Sequence, residues 1–165
     1  MPSNIDPVLN KKVIDLRVEI ISRLNANMAI EIYHGILREH QSPMLYLKLG
    51  GLYYLTGNFE AAMENYFRVL DYPENDWTYQ KSVKQIDVLL AKMPGLQSKL
   101  SEYKKVQMAE GYRIDRRIAA AIALWKKIDP MLLDRSDLRH YVQNYCRLYI
   151  GIRQYNPCYY IVQNN

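Results

Sequence analysis

The chain has 165 residues, of which 49% are hydrophobic, and a formal net charge of +5. This length suits a single domain with one sizeable core, and the hydrophobic fraction excludes a mainly disordered chain. No stretch approaches the 18 consecutive apolar residues of a membrane span, and two cysteines, Cys146 and Cys158, are too few for a disulfide framework. We therefore expect a cytoplasmic protein with free thiols and no membrane partner.

Helix signals run along the whole chain, and strand signals are nearly absent. Between breaks in the sequence, apolar residues recur at the spacing of one helix face. We predict an all-α fold of about seven or eight helices, in which short turns make successive helices antiparallel. Capping and turn-forming residues separate the helices at Asp6-Pro7, 25–27, Ser42-Pro43, Gly57-Asn58, Asn75-Asp76, Met93-Pro94-Gly95 and Asp129-Pro130.

In the second half of the chain the predicted helices cover residues 77–91, 97–112 and 118–128, followed by a last helix. The stretch 118–128 is rich in alanine and branched residues, so we expect a buried helix there. Asp134 or Ser136 caps the last helix. Its apolar face comprises Leu138, Tyr141, Val142, Tyr145, Leu148, Tyr149 and Ile152.

Residues 43–76 carry small and aromatic side chains at fixed spacings within one predicted helical hairpin. Two helices approach closely only where side chains are nearly absent, so we expect Gly50 to pack against Ala62, with aromatic rings filling the gaps beside them. This pattern resembles the tetratricopeptide repeat, a 34-residue helix–turn–helix unit. The matching turn and ring positions are Gly57, Tyr53 and Tyr66.

Two other segments resemble the same unit in degenerate form. Residues 10–42 place Arg17 and Leu24 where the small residue and the turn glycine belong, and residues 102–134 place Arg116 at the turn. Residues 77–101 are too short for a unit, which leaves one long helix with a linker or an unorthodox hairpin. The resemblance implies one domain over residues 1–165, a right-handed α-solenoid with a capping helix at 135–153 and a tail at 154–165.

Stacked repeats of this family curve, and their first helices line a concave groove that commonly holds a peptide of a partner protein. Because the lining implied here is mainly apolar, we expect an amphipathic or apolar partner segment, although the same residues could instead pack against neighbouring helices. The implied function is that of an adaptor or a chaperone, as in small members such as bacterial secretion chaperones, with self-association into a homo-oligomer as one option. The implied groove residues are Ile14, Val18, Ile21, Met44, Leu47, Gly51, Tyr54, Leu55, Tyr103 and Val106.

The charge is unevenly distributed along the chain. Residues 58–79 carry a net charge of −4 and residues 95–128 one of +5, which predicts an acidic end and a basic end. An alternative function is therefore the binding of RNA or DNA through the surface of residues 99–127, which helical-repeat proteins can perform. The basic residues of this surface are Arg113, Arg116, Arg117, Lys126 and Lys127.

Catalytic and metal-binding patterns are weak. His34 and His40 lie six residues apart, and Asp137 with His140 offers only two ligands on one helix face. No glycine-rich phosphate loop, HExxH sequence or nucleophile elbow occurs. We therefore expect a non-enzyme without cofactor or metal. The apolar tail segment 158–162 is expected to cover the end of the fold, fill the groove or mediate self-association.

Overall fold

A computed structural model describes Val13, residues 25–72 and residues 76–151 of the chain. The described residues form seven α-helices with defined ends and contain no strand, which confirms the predicted all-α fold. These helices are α1 (Ala26–Glu39), α2 (Pro43–Leu55), α3 (Phe59–Val69), α4 (Asp76–Lys92), α5 (Glu102–Ile114), α6 (Ile118–Trp125) and α7 (Arg135–Gly151).

Two 3₁₀ helices, Pro94–Lys99 and Pro130–Leu132, lie in the connections that follow α4 and α6. Among the described helices, none combines the length and the apolar character needed to cross a membrane. The tail at 154–165 lies outside the described residues, as do three of the predicted groove residues, Ile14, Val18 and Ile21.

Side-chain caps fix the starts of several helices at the predicted breaks. Asn25 Oδ1 accepts a hydrogen bond at 3.0 Å from the backbone N–H two residues later, where α1 begins. Asn58 Oδ1 accepts one at 3.2 Å from the backbone N–H three residues later, where α3 begins. Asp134, rather than Ser136, caps α7, because its Oδ1 accepts two backbone N–H groups at 2.8 Å. Each bond satisfies a donor that the first helical turn leaves unpaired.

The helix predicted from residue 97 begins five residues later. Pro94–Lys99 forms a 3₁₀ helix, Leu100 has an extended backbone, and α5 starts at Glu102. The side chain of Leu96 is buried in the central core cluster, and this burial stabilises the 3₁₀ conformation of Pro94–Lys99. Tertiary contact therefore overrides the helical preference of this stretch.

The helix predicted for residues 118–128 is shorter and less enclosed than expected. Helix α6 ends at Trp125, and within it only Ala121 and Trp125 are buried. Ala119 and Ala123 face solvent on its other side. Alanine favours a helix through its small entropy loss and does not require burial, so an alanine-rich stretch can form a helix that packs on one side only.

Each described helix packs mainly on helices that are close to it along the chain. Helix α1 packs on α2, α2 on α3, and α4 on both α2 and α3, while α5 packs on α4, α6 and α7. Residues 77–101 accordingly consist of one long helix followed by a 3₁₀ helix, and not of a hairpin. Into the central core cluster α4 buries one face, at spacings of three or four residues, with Tyr79, Val83, Ile86 and Leu89.

The α2–α3 and α5–α6 hairpins share one turn geometry, although their turn residues differ. The backbone is left-handed at Gly57, with φ +79°, and at the corresponding position Arg116, with φ +59°. In each turn the next N–H reaches five residues back, to the carbonyl of Tyr53 at 2.9 Å or of Tyr112 at 2.7 Å. This is the hydrogen-bond pattern of a helix that ends on a left-handed residue. The two hairpins therefore share the conformation of their turns.

Small residues permit close helix crossings, but their partners are large side chains. A Cβ built at Gly50 would lie 2.5 Å from Cε1 of Tyr66 on α3, so the ring of Tyr66, rather than Ala62, occupies the space beside this glycine. A Cβ at Gly111 on α5 would likewise lie 2.5 Å from Cγ2 of Val83 on α4. In both α2 and α5, the absence of a side chain at the glycine leaves room for a side chain of the neighbouring helix, Tyr66 or Val83.

Candidate partner-binding site

A cavity of about 290 Å³ lies between α2 and α4, and we call it the α2–α4 cavity. Four α2 residues reach it because positions three and four apart share one helix face. On α4 the contributing residues are four apart, which places them in one row along that helix. The lining comprises Met44, Leu47, Lys48 and Gly51 of α2, Tyr66 of α3, and Trp77, Lys81 and Gln85 of α4.

The cavity has a buried floor and an exposed wall. Leu47 and Tyr66 are 6% and 2% exposed, whereas Trp77 is 57% exposed. Gly51 keeps the space open, because a Cβ built there meets nothing within 4 Å. The arrangement can receive an apolar side chain from outside against an aromatic and aliphatic surface.

The mouth of the α2–α4 cavity is positively charged. The ammonium of Lys81 lies 4.8 Å from the centre of the Trp77 ring, a cation–π distance. Lys48 is exposed, and neither lysine has a carboxylate within 4.0 Å among the described side chains of residues 25–72 and 77–151. The eight lining residues include no carboxylate.

A second cavity of about 290 Å³, the α5–α7 cavity, has a different chemical character. Gln107 donates a hydrogen bond to Asp71 at 2.7 Å, and burial raises the pKa of the Asp71 carboxyl. The guanidinium of Arg113 binds both carboxylate oxygens of Glu110 at 2.7 Å. The polar groups on the α5 side are thus already paired. The lining comprises Leu70, Asp71, Tyr79, Tyr103, Val106, Gln107, Glu110, His140, Gln143, Asn144 and Arg147.

The two cavities divide the groove residues that the sequence predicted. Met44, Leu47 and Gly51 line the α2–α4 cavity, whereas Tyr103 and Val106 line the α5–α7 cavity, and no residue lines both. The structure therefore does not bring the predicted residues of the second and third units into one cavity.

Tyr54 and Leu55, also predicted for the groove, line neither cavity. Tyr54 packs edge-on against Phe59 with ring centres 5.6 Å apart, and the ammonium of Lys92 lies 4.9 Å from the Tyr54 ring. Leu55 is 76% exposed at the end of α2.

Trp77 and Lys81 were missed because residues 77–101 were treated as irregular. A sequence signal existed: Trp77 lies 33 residues after Met44, close to one repeat length. In the structure Met44 of α2 and Trp77 of α4 line the α2–α4 cavity from its two helices. The spacing of one repeat length from the predicted groove residue Met44 was therefore the signal that could have identified Trp77.

Two of the five predicted basic-surface residues are engaged by carboxylates. Arg113 pairs with Glu110, and Arg117 pairs with Asp87 while its guanidinium lies 4.3 Å from the Tyr112 ring centre. The other three, Arg116, Lys126 and Lys127, are exposed and have no ion pair within the described ranges.

The predicted separation of an acidic end from a basic end is not found. Lys99 pairs with Glu60, and Lys104 pairs with Glu64, so basic residues of the second half meet acidic residues of α3. The fold brings the two segments side by side, which a sum of charges along the chain does not reveal. Much of the basic segment is thus neutralised locally.

The described residues contain no group of three His, Cys, Asp or Glu side chains that could hold a metal ion. His34 contacts a side chain of the neighbouring helix: its Nε2 lies 2.7 Å from the Tyr53 hydroxyl of α2, within hydrogen-bond distance. Asp137 and His140 share one face of α7, and His140 borders the α5–α7 cavity.

Comparison with known protein families, with curated proteins and with solved structures gave no match to this chain. The resemblance to tetratricopeptide repeats therefore stays a prediction from sequence. The functional interpretation rests on the geometry and the charge of the two cavities.

Proposed function

We propose that the protein is a non-catalytic interaction module, an adaptor or a chaperone, that binds a partner's peptide segment at the α2–α4 cavity. The observation that carries this proposal is the position of Trp77, a large aromatic side chain left 57% exposed beside a cavity with a buried apolar floor. Tryptophan, tyrosine and methionine, which line this cavity, are the residue types enriched at protein interfaces.

The size of the cavity favours a peptide side chain over a small-molecule ligand. Sites for small molecules enclose most of the ligand in about 300–1,000 Å³. The α2–α4 cavity, at about 290 Å³, is at the lower limit of that range. One large apolar side chain fills such a space, while the backbone that carries it stays outside on the surface.

The exposed face of α4 extends the contact beyond the cavity. Trp77 and Val88 are 57% and 47% exposed and lie on the same side of α4 as Lys81. Val88 is eleven residues after Trp77, a rise of about 16 Å along the helix, which is the length of about five residues of extended peptide. A short segment laid along α4 would cover this face and bury its apolar surface.

The proposal includes tetratricopeptide-like stacking of the hairpins and a cytoplasmic setting. The support for such stacking is the repetition of one turn geometry in the α2–α3 and α5–α6 hairpins and the packing of helices on near neighbours along the chain. In such an array α2 and α4 are successive first helices, which is where the family binds peptides.

A matched pair of glycine substitutions tests the proposal. Gly51→Leu fills the α2–α4 cavity, and Gly35→Leu places the same side chain on the exposed face of α1; a Cβ at either position meets nothing within 4 Å. Peptides selected on the wild-type protein from a displayed library of random 16-residue sequences should lose tenfold or more in affinity for Gly51→Leu, because a central contact is blocked, and keep their affinity for Gly35→Leu.

Two outcomes would refute the proposal. One is a selection in which no peptide is enriched above background. The other is a set of peptides that bind Gly51→Leu as tightly as they bind the wild-type protein. Circular dichroism and thermal unfolding of both variants verify that each is folded as the wild type is.

A further inference from the structure

We propose that the segment bound at the α2–α4 cavity is acidic, with a large apolar side chain in the cavity and aspartate or glutamate residues on both sides of it. This inference rests on the proposed function and specifies its partner chemistry. It concerns the mouth of the cavity, where charge, rather than apolar surface, distinguishes one amphipathic peptide from another.

The cations stand on both walls of the cavity. Lys48 belongs to α2 and Lys81 to α4, so a segment that crosses the mouth passes one ammonium on each side of its buried side chain. Gln85 is the other polar side chain on the α4 wall, and it is neutral. A carboxylate on either side of the anchor would meet an opposite charge, whereas a lysine or arginine there would meet a like charge.

Contacts within the fold keep these cations available. The ammonium of Lys81 lies beside the mouth, 4.8 Å from the centre of the Trp77 ring, and no carboxylate lies within 4.0 Å of it among the described side chains of residues 25–72 and 77–151. Farther along α4, Lys84 is not available in this way, because its ammonium pairs with Asp115 at 3.9 Å. Likewise, Lys99 and Lys104 are already paired with Glu60 and Glu64.

The α5–α7 cavity provides the contrast within the same molecule. Its lining carries both signs of charge, the carboxylates of Asp71 and Glu110 and the guanidinium of Arg147, whereas the charged residues that line the α2–α4 cavity are cations. The two cavities have similar volumes, so the sign of the lining charge is one difference between them that a peptide would meet. Acidic peptides should therefore respond to substitutions at the α2–α4 cavity and not at the α5–α7 cavity.

A charge-reversal pair tests the inference in the same peptide selection. Lys48→Glu/Lys81→Glu inverts the mouth, and Lys126→Glu/Lys127→Glu makes the same change in net charge on a remote surface. We expect wild-type peptides to carry aspartate or glutamate within about three residues of a large apolar residue. Their affinity should fall about tenfold or more on reversal at the mouth and change less than about twofold for the remote pair, because exposed ion pairs act locally.

Salt provides a second readout. The affinity of wild-type peptides should fall between about 0.05 M and 0.5 M salt, because the screening length decreases over that range. Peptides selected on the reversed variant should instead carry lysine or arginine. If the reversed variant unfolds, Lys48→Gln/Lys81→Gln removes the charge without inverting it, and a loss of about threefold is expected.

The outcomes separate this inference from the function on which it rests. Peptides that are lost on Gly51→Leu but show no acidic bias, or that are insensitive to Lys48→Glu/Lys81→Glu, would overturn the inference and leave the binding function standing. Failure to obtain any peptide sensitive to Gly51→Leu would refute the binding function itself.

Discussion

The adjacent glycines of α2 should respond to alanine in opposite directions. Gly50 and Gly51 are both inside the helix, so replacing either with alanine gains about 1 kcal/mol in helix propensity. Their surroundings differ: a Cβ at Gly51 meets nothing within 4 Å, whereas one at Gly50 would lie 2.5 Å from the Tyr66 ring. The difference in stability between the two variants therefore measures the overlap with this ring alone.

The structure sets the size of that difference. Real Cβ atoms essentially never approach a neighbour within 3.0 Å, so the ring or the helix must move by about 0.5 Å. Tyr66 is 2% exposed and belongs to the central core cluster, so a shift of its ring disturbs the packing of its neighbours. Overpacking of a core costs about 1–3 kcal/mol, so Gly51→Ala should be more stable than Gly50→Ala by that amount.

Urea unfolding and thermal unfolding measure this difference, and each kcal/mol corresponds to roughly 2–4 °C in Tm for a chain of this size. Gly50→Ala should also no longer destabilise the protein when Tyr66→Leu removes the ring. A double-mutant cycle would detect this as a coupling free energy of about 1–3 kcal/mol. Equal stabilities of Gly50→Ala and Gly51→Ala, with no coupling to position 66, would show that the Tyr66 ring does not fill this space.

Three further predictions follow from the turns, the buried tyrosines and the basic surface. Gly57→Ala should lose about 1 kcal/mol and Arg116→Gly should gain about as much in urea unfolding, because both positions have left-handed backbone; equal effects of one sign would contradict this turn geometry. Burial raises the pKa of Tyr66 to about 12, so the folded state favours the neutral phenol. The resulting contribution to the free energy of unfolding is fully present below pH 10 and is lost as the pH rises from 10 towards 12, by about 1.4 kcal/mol per pKa unit. Unfolding midpoints at pH 8 and pH 11 should therefore differ less for Tyr66→Phe than for the wild type, and an identical difference would exclude Tyr66 as the cause. Mixed-sequence RNA should bind no more tightly than about 1–100 µM in fluorescence anisotropy at physiological salt, because Arg113 and Arg117 are engaged by carboxylates; tighter binding that is lost in Lys126→Glu/Lys127→Glu would support the nucleic-acid alternative.

Local features of the fold could be predicted from the sequence because their causes are local. A cap needs one side chain near the helix start, which Asn25, Asn58 and Asp134 supply. The α2–α3 hairpin needs small and aromatic residues within one short segment, and both of its helices appear at the predicted place. The same positions also identified Met44, Leu47 and Gly51 as neighbours on one helix face.

Features that depend on distant residues were not predictable in the same way. The side chain that fills the space beside Gly50 depends on how α3 is rotated about its axis. The spacing of small residues predicted Ala62 there, whereas the structure has Tyr66. The pairing of Lys99 with Glu60 joins residues 39 positions apart, so segment charges could not show it. The division of one predicted groove into two cavities likewise follows from how α4 packs between the hairpins.

The packing of each described helix on its near neighbours along the chain has a consequence for the order of folding. Contacts between near neighbours close only short loops, which cost little chain entropy, and helical proteins of this kind fold within microseconds to milliseconds. The α2–α3 hairpin, which has its glycine at the turn, can form while the second half of the chain is still being synthesised. The α5–α6 hairpin has an arginine in its left-handed turn, and the neighbouring Arg117 pairs with Asp87 of α4, so contact with α4 contributes to holding this turn in addition to its local hydrogen bonds.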